Sequence, residues 1–181
     1  MIIMIGGIPC SGKTTLVKNI IEGLGSYENY EPIPLFKCQK YKDILLIGQY
    51  PENETFGGTD RLSYGTINKF QEFINQEVTK HKHILIEGDR FFQAKNLEFL
   101  LDEHDAMVYT LKIQPEEEKR RHIKRNDTQS EKWLKGRHSQ INNLFTNFNL
   151  MGRLEVRDTS DGIEKVKDEI MELLWHTDLK N

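Results

Sequence analysis

The chain of 181 residues carries 25 lysine and arginine side chains against 28 aspartate and glutamate side chains, which gives a formal net charge of −3. This length predicts one domain with a sizeable core, and the slight negative charge argues against a large nucleic-acid footprint. The two cysteines, Cys10 and Cys38, are too few for a disulfide framework or a cysteine-based metal site. No apolar stretch is long enough to span a membrane, so we expect a cytoplasmic protein without a membrane partner.

The first motif of the chain follows a short apolar run, Ile2 to Ile5, which predicts a central parallel strand. Residues 7–14 read GIPCSGKT, and this matches the spacing G-x-x-x-x-G-K-[ST] of a phosphate-binding loop. A helix is predicted directly after it, over Thr15 to Glu22, so the positive end of a helix dipole would add to the site. A glycine-rich turn that matches by chance is the alternative, and the flanking strand and helix favour phosphate binding.

The positions of this loop have predicted roles in binding ATP. The glycines let the backbone turn tightly, Lys13 can reach the terminal phosphates, and Thr14 can hold Mg²⁺ through its hydroxyl. Cys10 is interpreted as a small filler, since phosphate binding does not require its thiol. The predicted ATP-binding residues of the loop are Gly7, Ile8, Pro9, Cys10, Ser11, Gly12, Lys13, Thr14 and Thr15.

Residues 33–65 are predicted to form an insertion beside this loop. A turn-rich loop is predicted just before this insertion, over Ser26 to Pro32. The apolar and aromatic segments Leu35 to Gln39 and Ile44 to Tyr50 then indicate a hairpin or two short strands. A further loop is predicted over Pro51 to Gly58.

Asp60 and Arg61 follow that loop and have two interpretations. Phosphoryl transfer to an alcohol benefits from a carboxylate that orients the hydroxyl and accepts its proton, and Asp60 could do this while Arg61 holds the acceptor. Alternatively, Thr59 or Asp60 caps a helix or a turn. The sequence leaves both interpretations open.

Strands and helices alternate through the rest of the chain. Further strands are predicted over His83–Glu87, Ala106–Ile113 and Leu154–Arg157. Further helices are predicted around residues 67–78, 95–104, 115–125 and 131–148, and a last helix is predicted after an Asp161 cap. Such alternation implies an α/β fold with a parallel sheet and helices on both faces, and ligands bind such sheets at the carboxyl ends of the strands.

Polar residues follow the strands at this predicted edge. Glu87 and Asp89 end an apolar strand, as expected of acids that bind Mg²⁺ directly or through water. The alternative is that acids are common at the start of loops simply because loops are exposed to solvent. Which of them meets the metal and which meets the acceptor stays open. Arg90 could hold the acceptor phosphate or the transferred group, and a surface arginine is the alternative.

Three aromatic residues lie near these polar groups. Phe91 and Phe92 follow Arg90 and could stack on a base, with Phe91 as the substrate-binding candidate. A core position is the more common fate of such residues. Tyr64 faces the same choice.

A basic segment runs from Lys119 to Arg137, with eight basic residues against two acidic ones. Arg121 and Arg125 share a helix face by their spacing. Arg137 lies in the inward stripe of its helix, and a buried guanidinium needs an anionic partner such as a triphosphate. These three arginines are the catalytic candidates of a lid over residues 115–148, although Glu116 to Glu118 could pair with some of them instead.

The whole chain resembles the P-loop kinases of the nucleoside and nucleotide kinase group. The sequence EGDRF at 87–91 looks like the Asp-Arg-aromatic element of thymidylate kinases, and the arginine-rich helix pair looks like their lid. DTS at 158–160 is similar to the adenine-side loop of related small kinases. The predicted hairpin followed by GGTDRLS at 57–63 looks more like small phage kinases of the thymidylate kinase family, which phosphorylate the 5-hydroxymethyl group of hydroxymethyluracil in DNA.

The resemblance implies one P-loop kinase domain over residues 1–181, with three layers, a helical lid and an acceptor-side hairpin insertion. It implies ATP and Mg²⁺, with Lys13, Thr14 and Asp89 as phosphate, metal and catalytic positions. The adenine-side positions that it implies are Asp158 and Thr159. The acceptor is then hydroxymethyluracil in phage DNA, within the host cytoplasm, or else a free nucleoside, a nucleotide or a polynucleotide 5′ end.

A nucleotide-dependent switch is the remaining alternative from another functional class. GTPase switches show Asp-x-x-Gly after a strand and Asn-Lys-x-Asp for guanine, and neither motif occurs here. The sequence does not decide the oligomeric state or the preference for ATP over GTP.

Overall fold

The structure is a computed structural model that describes residues 1–51, 57–126 and 129–176. The loop predicted over Pro51 to Gly58 and the break predicted between the two helices of the basic segment lie partly outside these residues. Among the described residues, no helix is long and apolar enough to cross a bilayer.

A seven-stranded mixed sheet forms the centre of the molecule, in the spatial order β2-β3-β4-β5-β1-β6-β7. The strands are β1 (Ile2–Gly7), β2 (Glu28–Tyr30), β3 (Cys38–Tyr41), β4 (Ile44–Ile47), β5 (His83–Glu87), β6 (Ala106–Lys112) and β7 (Glu155–Asp158). Strands β4, β5, β1, β6 and β7 pair in parallel, whereas β2 and β3 pair antiparallel with their neighbours. The five parallel strands therefore end at one edge of the sheet.

Helices cover both faces of this sheet. Those of the described residues are α1 (Lys13–Glu22), α2 (Phe70–Glu77), α3 (Ala94–Glu103), α4 (Pro115–Lys124), α5 (Glu131–Thr146) and α6 (Glu164–His176). Side chains of a strand alternate between faces, so Ile2 and Met4 of β1 pack into the core with α2, α3 and α5, while Ile3 and Ile5 pack with α1 and α6. The predicted α/β architecture with helices on both faces is confirmed.

One strand that the sequence did not indicate lies just before the insertion. β3 and β4 form the predicted hairpin, but Glu28–Tyr30 forms β2 where a turn-rich loop was expected. Glu28 pairs with Lys40 at 2.9 Å, and the Tyr30 hydroxyl donates to Glu77 at 3.0 Å. These contacts join residues that are distant in sequence, so local pattern gives little sign of the strand.

Phe91 and Phe148 have opposite environments in the structure. Phe91 is fully buried, and its ring stacks on that of Phe70 with 4.4 Å between the centroids. The structure therefore places Phe91 in the core rather than in a substrate site, which corrects its candidate role. The helix predicted to reach residue 148 ends at Thr146, and Phe148, just beyond it, is 90% exposed.

We expect Phe91→Ala to lower the free energy of unfolding by about 3–5 kcal/mol, because the substitution leaves a cavity in a stacked aromatic cluster. The matched control Phe148→Ala removes an exposed ring and should change stability by no more than about 0.5 kcal/mol. Urea unfolding followed by circular dichroism measures both. Equal effects of the two substitutions would contradict the core position of Phe91.

Candidate functional site

The loop between β1 and α1 takes the tightly turned course that its glycines predict. Gly7 and Gly12 have φ values of 139° and 90°. A side chain at Gly7 would collide with the backbone of Leu111, so only glycine fits there. Gly12 directly precedes Lys13, the first residue of α1. The first-turn N–H groups of a helix have no partner within the helix, so the loop has donors and a positive dipole end beside it, as anion binding requires.

Not every residue of the loop faces solvent. The Ile8 N–H donates to the carbonyl of Leu111 at 3.2 Å. Ile8 and Gly7 therefore shape the base of the loop and line neither of the clefts described below, so their predicted part in ATP binding stays a prediction. The later residues of the loop, from Cys10 to Thr14, do line a cleft.

Lys13 folds back across this loop. Its Nζ donates to the carbonyl oxygens of Gly7 and Ile8, at 3.0 Å in each case. The same ammonium lies 3.7 Å from the carboxylate of Asp89, just after β5. The positive charge of Lys13 is therefore held between the loop and the end of the neighbouring strand.

Glu87 occupies the last position of β5 and is 1% exposed. The Thr14 hydroxyl donates to its Oε1 at 3.3 Å, and the Tyr50 hydroxyl donates to its Oε2 at 2.6 Å. Burial raises the pKa of Glu87 to about 7, against the opposing effects of the Tyr50 hydrogen bond and the Lys13 charge. Two candidate magnesium ligands, Thr14 and Glu87, thus lie within hydrogen-bonding distance of each other.

The two Asp-Arg pairs of the sequence contact each other. Oδ1 of Asp60 accepts the backbone N–H groups of Asp89 and Arg90 at 2.9 and 3.1 Å. The Arg90 guanidinium donates back to the carbonyls of Thr59 and Asp60 at 2.9 and 2.8 Å. The close packing around its carboxylate raises the pKa of Asp60, and the charge of Asp89 adds to this effect. Asp60 therefore joins two loops rather than capping its own turn.

Arg137 reaches the same carboxylates from α5. Its Nη2 lies 2.8 Å from Oδ1 of Asp89, and its Nη1 donates to Gln140 at 2.6 Å. The side chain is only 15% exposed. The anionic partner that a buried guanidinium needs is thus Asp89.

Arg121 connects α4 to the loop between β1 and α1 and to the segment after β7. Its guanidinium donates to the carbonyls of Cys10, Thr159 and Ser160 at 3.2, 2.7 and 3.1 Å. It also donates to Glu117 at 2.6 Å, so the acidic cluster on α4 does pair with an arginine of the basic segment. Arg125, one turn later, has a guanidinium nitrogen 3.5 Å from the sulfur of Cys10.

The segment after β7 has a partly different role from the expected one. The Thr159 hydroxyl donates to the carbonyl of Ser11 at 2.7 Å, which ties this segment to the loop. Asp158 accepts hydrogen bonds from Ser160 at 2.6 Å and Gln114 at 2.9 Å and does not line the adjacent cleft. Asp158 thus shapes the segment, and its predicted adenine-side role stays a prediction.

Two clefts meet at Lys13 and Thr14. The first, of about 600 Å³, lies between the loop, α4 and the start of α6, and its lining includes Ser11, Gly12, Thr15, Arg121, Ser160 and Gly162. The second, of about 560 Å³, extends toward α5, and its lining includes Asp60, Arg61, Tyr64, Asp89, Arg90 and Trp133. Cys10, Lys13, Thr14 and Arg125 line both clefts. Most candidate residues therefore converge, as the common strand edge predicts.

Sequence reasoning missed two residues of this region. Tyr50 ends an apolar segment, and its hydrogen bond to Glu87 depends on how β4 lies beside β5. Trp133 stands beside Leu134 in α5, and nothing in the helical pattern indicates that it lines a cleft. Both roles depend on three-dimensional proximity.

The residues near Thr14 fit a partial set of magnesium ligands. Over 1–51, 57–126 and 129–176, no group of three or more His, Cys, Asp and Glu side chains is placed to hold a metal ion. Mg²⁺ usually retains several waters and takes only one or two protein ligands beside substrate phosphates. The Thr14 hydroxyl with Glu87 and Asp89 is consistent with such a site.

Comparison of the chain with models of known protein families finds no match, and comparison with curated protein sequences finds none either.

We expect the Glu87 contribution to stability to fall as the pH rises from about 4.5 to about 7. Burial raises its pKa from 4.5 to about 7, so in this range the folded protein retains a proton that the unfolded chain releases. The contribution is full below pH 4.5 and lost above pH 7. Urea unfolding at several pH values should show this slope in the wild type but not in Glu87→Gln.

The exposed Glu103 of α3 provides the matched control for this experiment. Glu103→Gln should retain the pH profile of the wild type. A profile of Glu87→Gln that superimposes on the wild type would show that this carboxyl does not carry a raised pKa.

Proposed function

We propose that the protein is an ATP-dependent phosphotransferase that moves the γ-phosphoryl group to a hydroxyl. The observation that supports this function best is the pair of clefts that share Lys13 and Thr14. In-line transfer needs donor and acceptor on opposite sides of one phosphoryl group, so two clefts with a common centre suit it. A nucleotide-dependent switch has no need of the second cleft.

The first cleft is the proposed donor site. The N-terminal end of α1 and the glycine loop would bind the phosphates of ATP, and Lys13 would move from the loop carbonyls to the terminal phosphate. The fold would then be a P-loop kinase fold, with α4 and α5 as its lid. Arg121 and Arg125 would place positive charge against the donor from the α4 side.

The second cleft is the proposed acceptor site. The acceptor oxygen would form a bond to the γ-phosphorus, the bond from that phosphorus to the β–γ bridging oxygen would break, and ADP would leave with the electron pair. The proton of the hydroxyl would pass to Asp60, whose raised pKa makes it the better base. Asp89 is held by Arg137 at 2.8 Å and by Lys13 at 3.7 Å, so it would position these cations instead.

Thr14, Glu87 and Asp89 are the residues that would hold Mg²⁺ in this arrangement. Mg²⁺ held there would neutralise negative charge on the donor phosphates. Tyr50 would keep the Glu87 carboxylate in place through its hydrogen bond of 2.6 Å.

The proposed acceptor is the 5-hydroxymethyl group of hydroxymethyluracil in DNA, as the resemblance to small phage kinases implies. Arg61 and Arg90 in the second cleft suit an acceptor that carries phosphate. Nη1 of Arg90 is buried and has no hydrogen-bond partner among the described residues, so it can still donate to such a group. A free nucleoside or nucleotide is the alternative acceptor.

We expect Lys13→Ala to reduce phosphoryl transfer by about 10³-fold or more, because the migrating group loses its main fixed cation. Incubation with γ-labelled ATP and a panel of nucleosides, nucleotides and hydroxymethyluracil-containing DNA measures this. Lys165→Ala, at an exposed position of α6, is the matched control and should keep full activity. Near-full activity of Lys13→Ala would refute the proposed donor site.

Asp60→Asn should lower kcat by about 10²–10⁴-fold and leave the KM for ATP nearly unchanged. The amide oxygen can still accept the two backbone N–H groups of Asp89 and Arg90, so the substitution removes the base while retaining the loop contact. Steady-state kinetics separate the two parameters. Equal losses in kcat and in ATP affinity would instead indicate a role in holding metal.

A salt titration should distinguish the acceptors. If DNA is the acceptor, the logarithm of its affinity should fall with the logarithm of salt concentration with a slope of about −2 or steeper, since each phosphate contact releases counterions. A free nucleotide should give a shallow slope. Fluorescence anisotropy with labelled acceptors measures both, and a shallow slope for DNA would exclude it as the acceptor.

A further inference from the structure

Two exposed aromatic side chains line the second cleft. Tyr64 is 80% exposed and Trp133 is 40% exposed. Large aromatic side chains are usually buried, and packing against the core does not explain either ring. The other exposed large hydrophobic residues of the described chain do not line this cleft.

The two rings come from separate elements that both line the second cleft. Tyr64 begins a short 3-10 helix (Tyr64–Lys69), four residues after Asp60. Trp133 lies in the first turn of α5, where its backbone N–H is capped by the Ser130 hydroxyl at 3.3 Å. Both rings are therefore carried by ordered backbone.

The Tyr64 ring is held by a contact with Arg90 inside the cleft. The Arg90 guanidinium lies over its ring, 4.2 Å from the ring centroid. The same guanidinium is fixed by the carbonyls of Thr59 and Asp60. Tyr64 is thus oriented by a cation–π contact next to Asp60, the proposed general base.

The arginines and aromatic rings of the cleft together favour a ligand that is both planar and anionic. Arg61, Arg90, Arg125 and Arg137 contribute to the lining beside the two rings. Aromatic side chains beside cationic groups are the usual means of binding unpaired bases, since every base has a π-face to stack. A base inside duplex DNA can reach such a cleft only by leaving the helical stack.

We propose that Trp133 and Tyr64 stack on the acceptor base from two sides, and that the cleft takes this base as an unpaired, extrahelical nucleotide. This inference rests on the proposed function, since it names how the acceptor of that reaction is bound. It assigns Trp133 on α5 a direct contact with substrate. The same helix carries Arg137, which lies 2.8 Å from Asp89 beside the proposed phosphoryl centre.

The fluorescence of Trp133 provides a test that does not depend on catalysis. The chain has two tryptophans, and Trp175, on α6, lies outside the lining of the second cleft. In a Trp175→Phe background, a single-stranded 12-mer with one hydroxymethyluracil should quench the emission of Trp133 in the absence of ATP. The same 12-mer in a fully paired duplex should bind more weakly, because the base must first be unstacked.

Substitutions test each ring separately. Tyr64→Ala and Trp133→Ala should each weaken binding of the 12-mer by about 5- to 150-fold, the effect of one lost stacking contact, and should raise the acceptor KM more than they lower kcat. Tyr64→Phe should retain binding. Tyr27→Ala is the matched control, since Tyr27 is 49% exposed and does not line the cleft.

The outcomes separate this inference from the function on which it rests. Quenching by the 12-mer without any phosphoryl transfer would support stacking and refute the kinase. Transfer with unchanged acceptor KM in both alanine variants would overturn stacking and leave the kinase. Quenching that depends on protein concentration without the 12-mer would show that the rings bind a second copy of the chain, which also overturns the inference.

Discussion

The candidate site depends on the buried carboxylate of Glu87, because that group joins three separate stretches of chain. Thr14 brings the start of α1 to it, Tyr50 brings the residues after β4, and a side chain at Gly58 would collide with it. A buried carboxylate is costly unless it is hydrogen-bonded, so these contacts keep one another in place. The start of α1 and the residues after β4 are thereby fixed at one strand edge, and Asp60 is held there by the backbone N–H groups of Asp89 and Arg90.

The arginines around this centre are held by different partners. Arg121 is bound by main-chain carbonyls of two loops, which makes it a connection between α4 and the sheet edge. Arg137 is bound by Asp89, and Arg90 by the carbonyls of the neighbouring loop. A chain with a net charge of −3 thus concentrates positive charge where the two clefts meet. Overall composition gives no sign of this distribution.

Local pattern was sufficient for much of the fold and part of the site. The apolar run of β5 was predicted with its observed bounds, and the glycine loop lies between a strand and a helix as predicted, with bounds that differ by two residues. The strand edge then brings Asp60, Glu87 and Asp89 together, as the parallel sheet implies. β2 could not be predicted, because its pairing depends on Lys40 and Glu77, which are distant in sequence.

The errors have a common physical cause. Phe91 follows Arg90 in sequence, but its ring turns into the core, so nearness along the chain misled the assignment. Tyr50 and Trp133 reach the site only through the packing of β4 and α5, so no sequence motif indicates them. Sequence fixes the type of an element more readily than the direction in which one side chain points.

Helix α4 has an unusual basis for its attachment, since none of its residues is buried. Polar contacts hold it, including those of Arg121 to the Cys10 carbonyl and of Glu118 to His138 on α5. Ion pairs weaken as dissolved salt screens them, whereas apolar packing does not. We therefore expect local opening of α4 to depend on ionic strength more than opening of the sheet does, so that amide hydrogen exchange is more sensitive to salt in this helix than in β1.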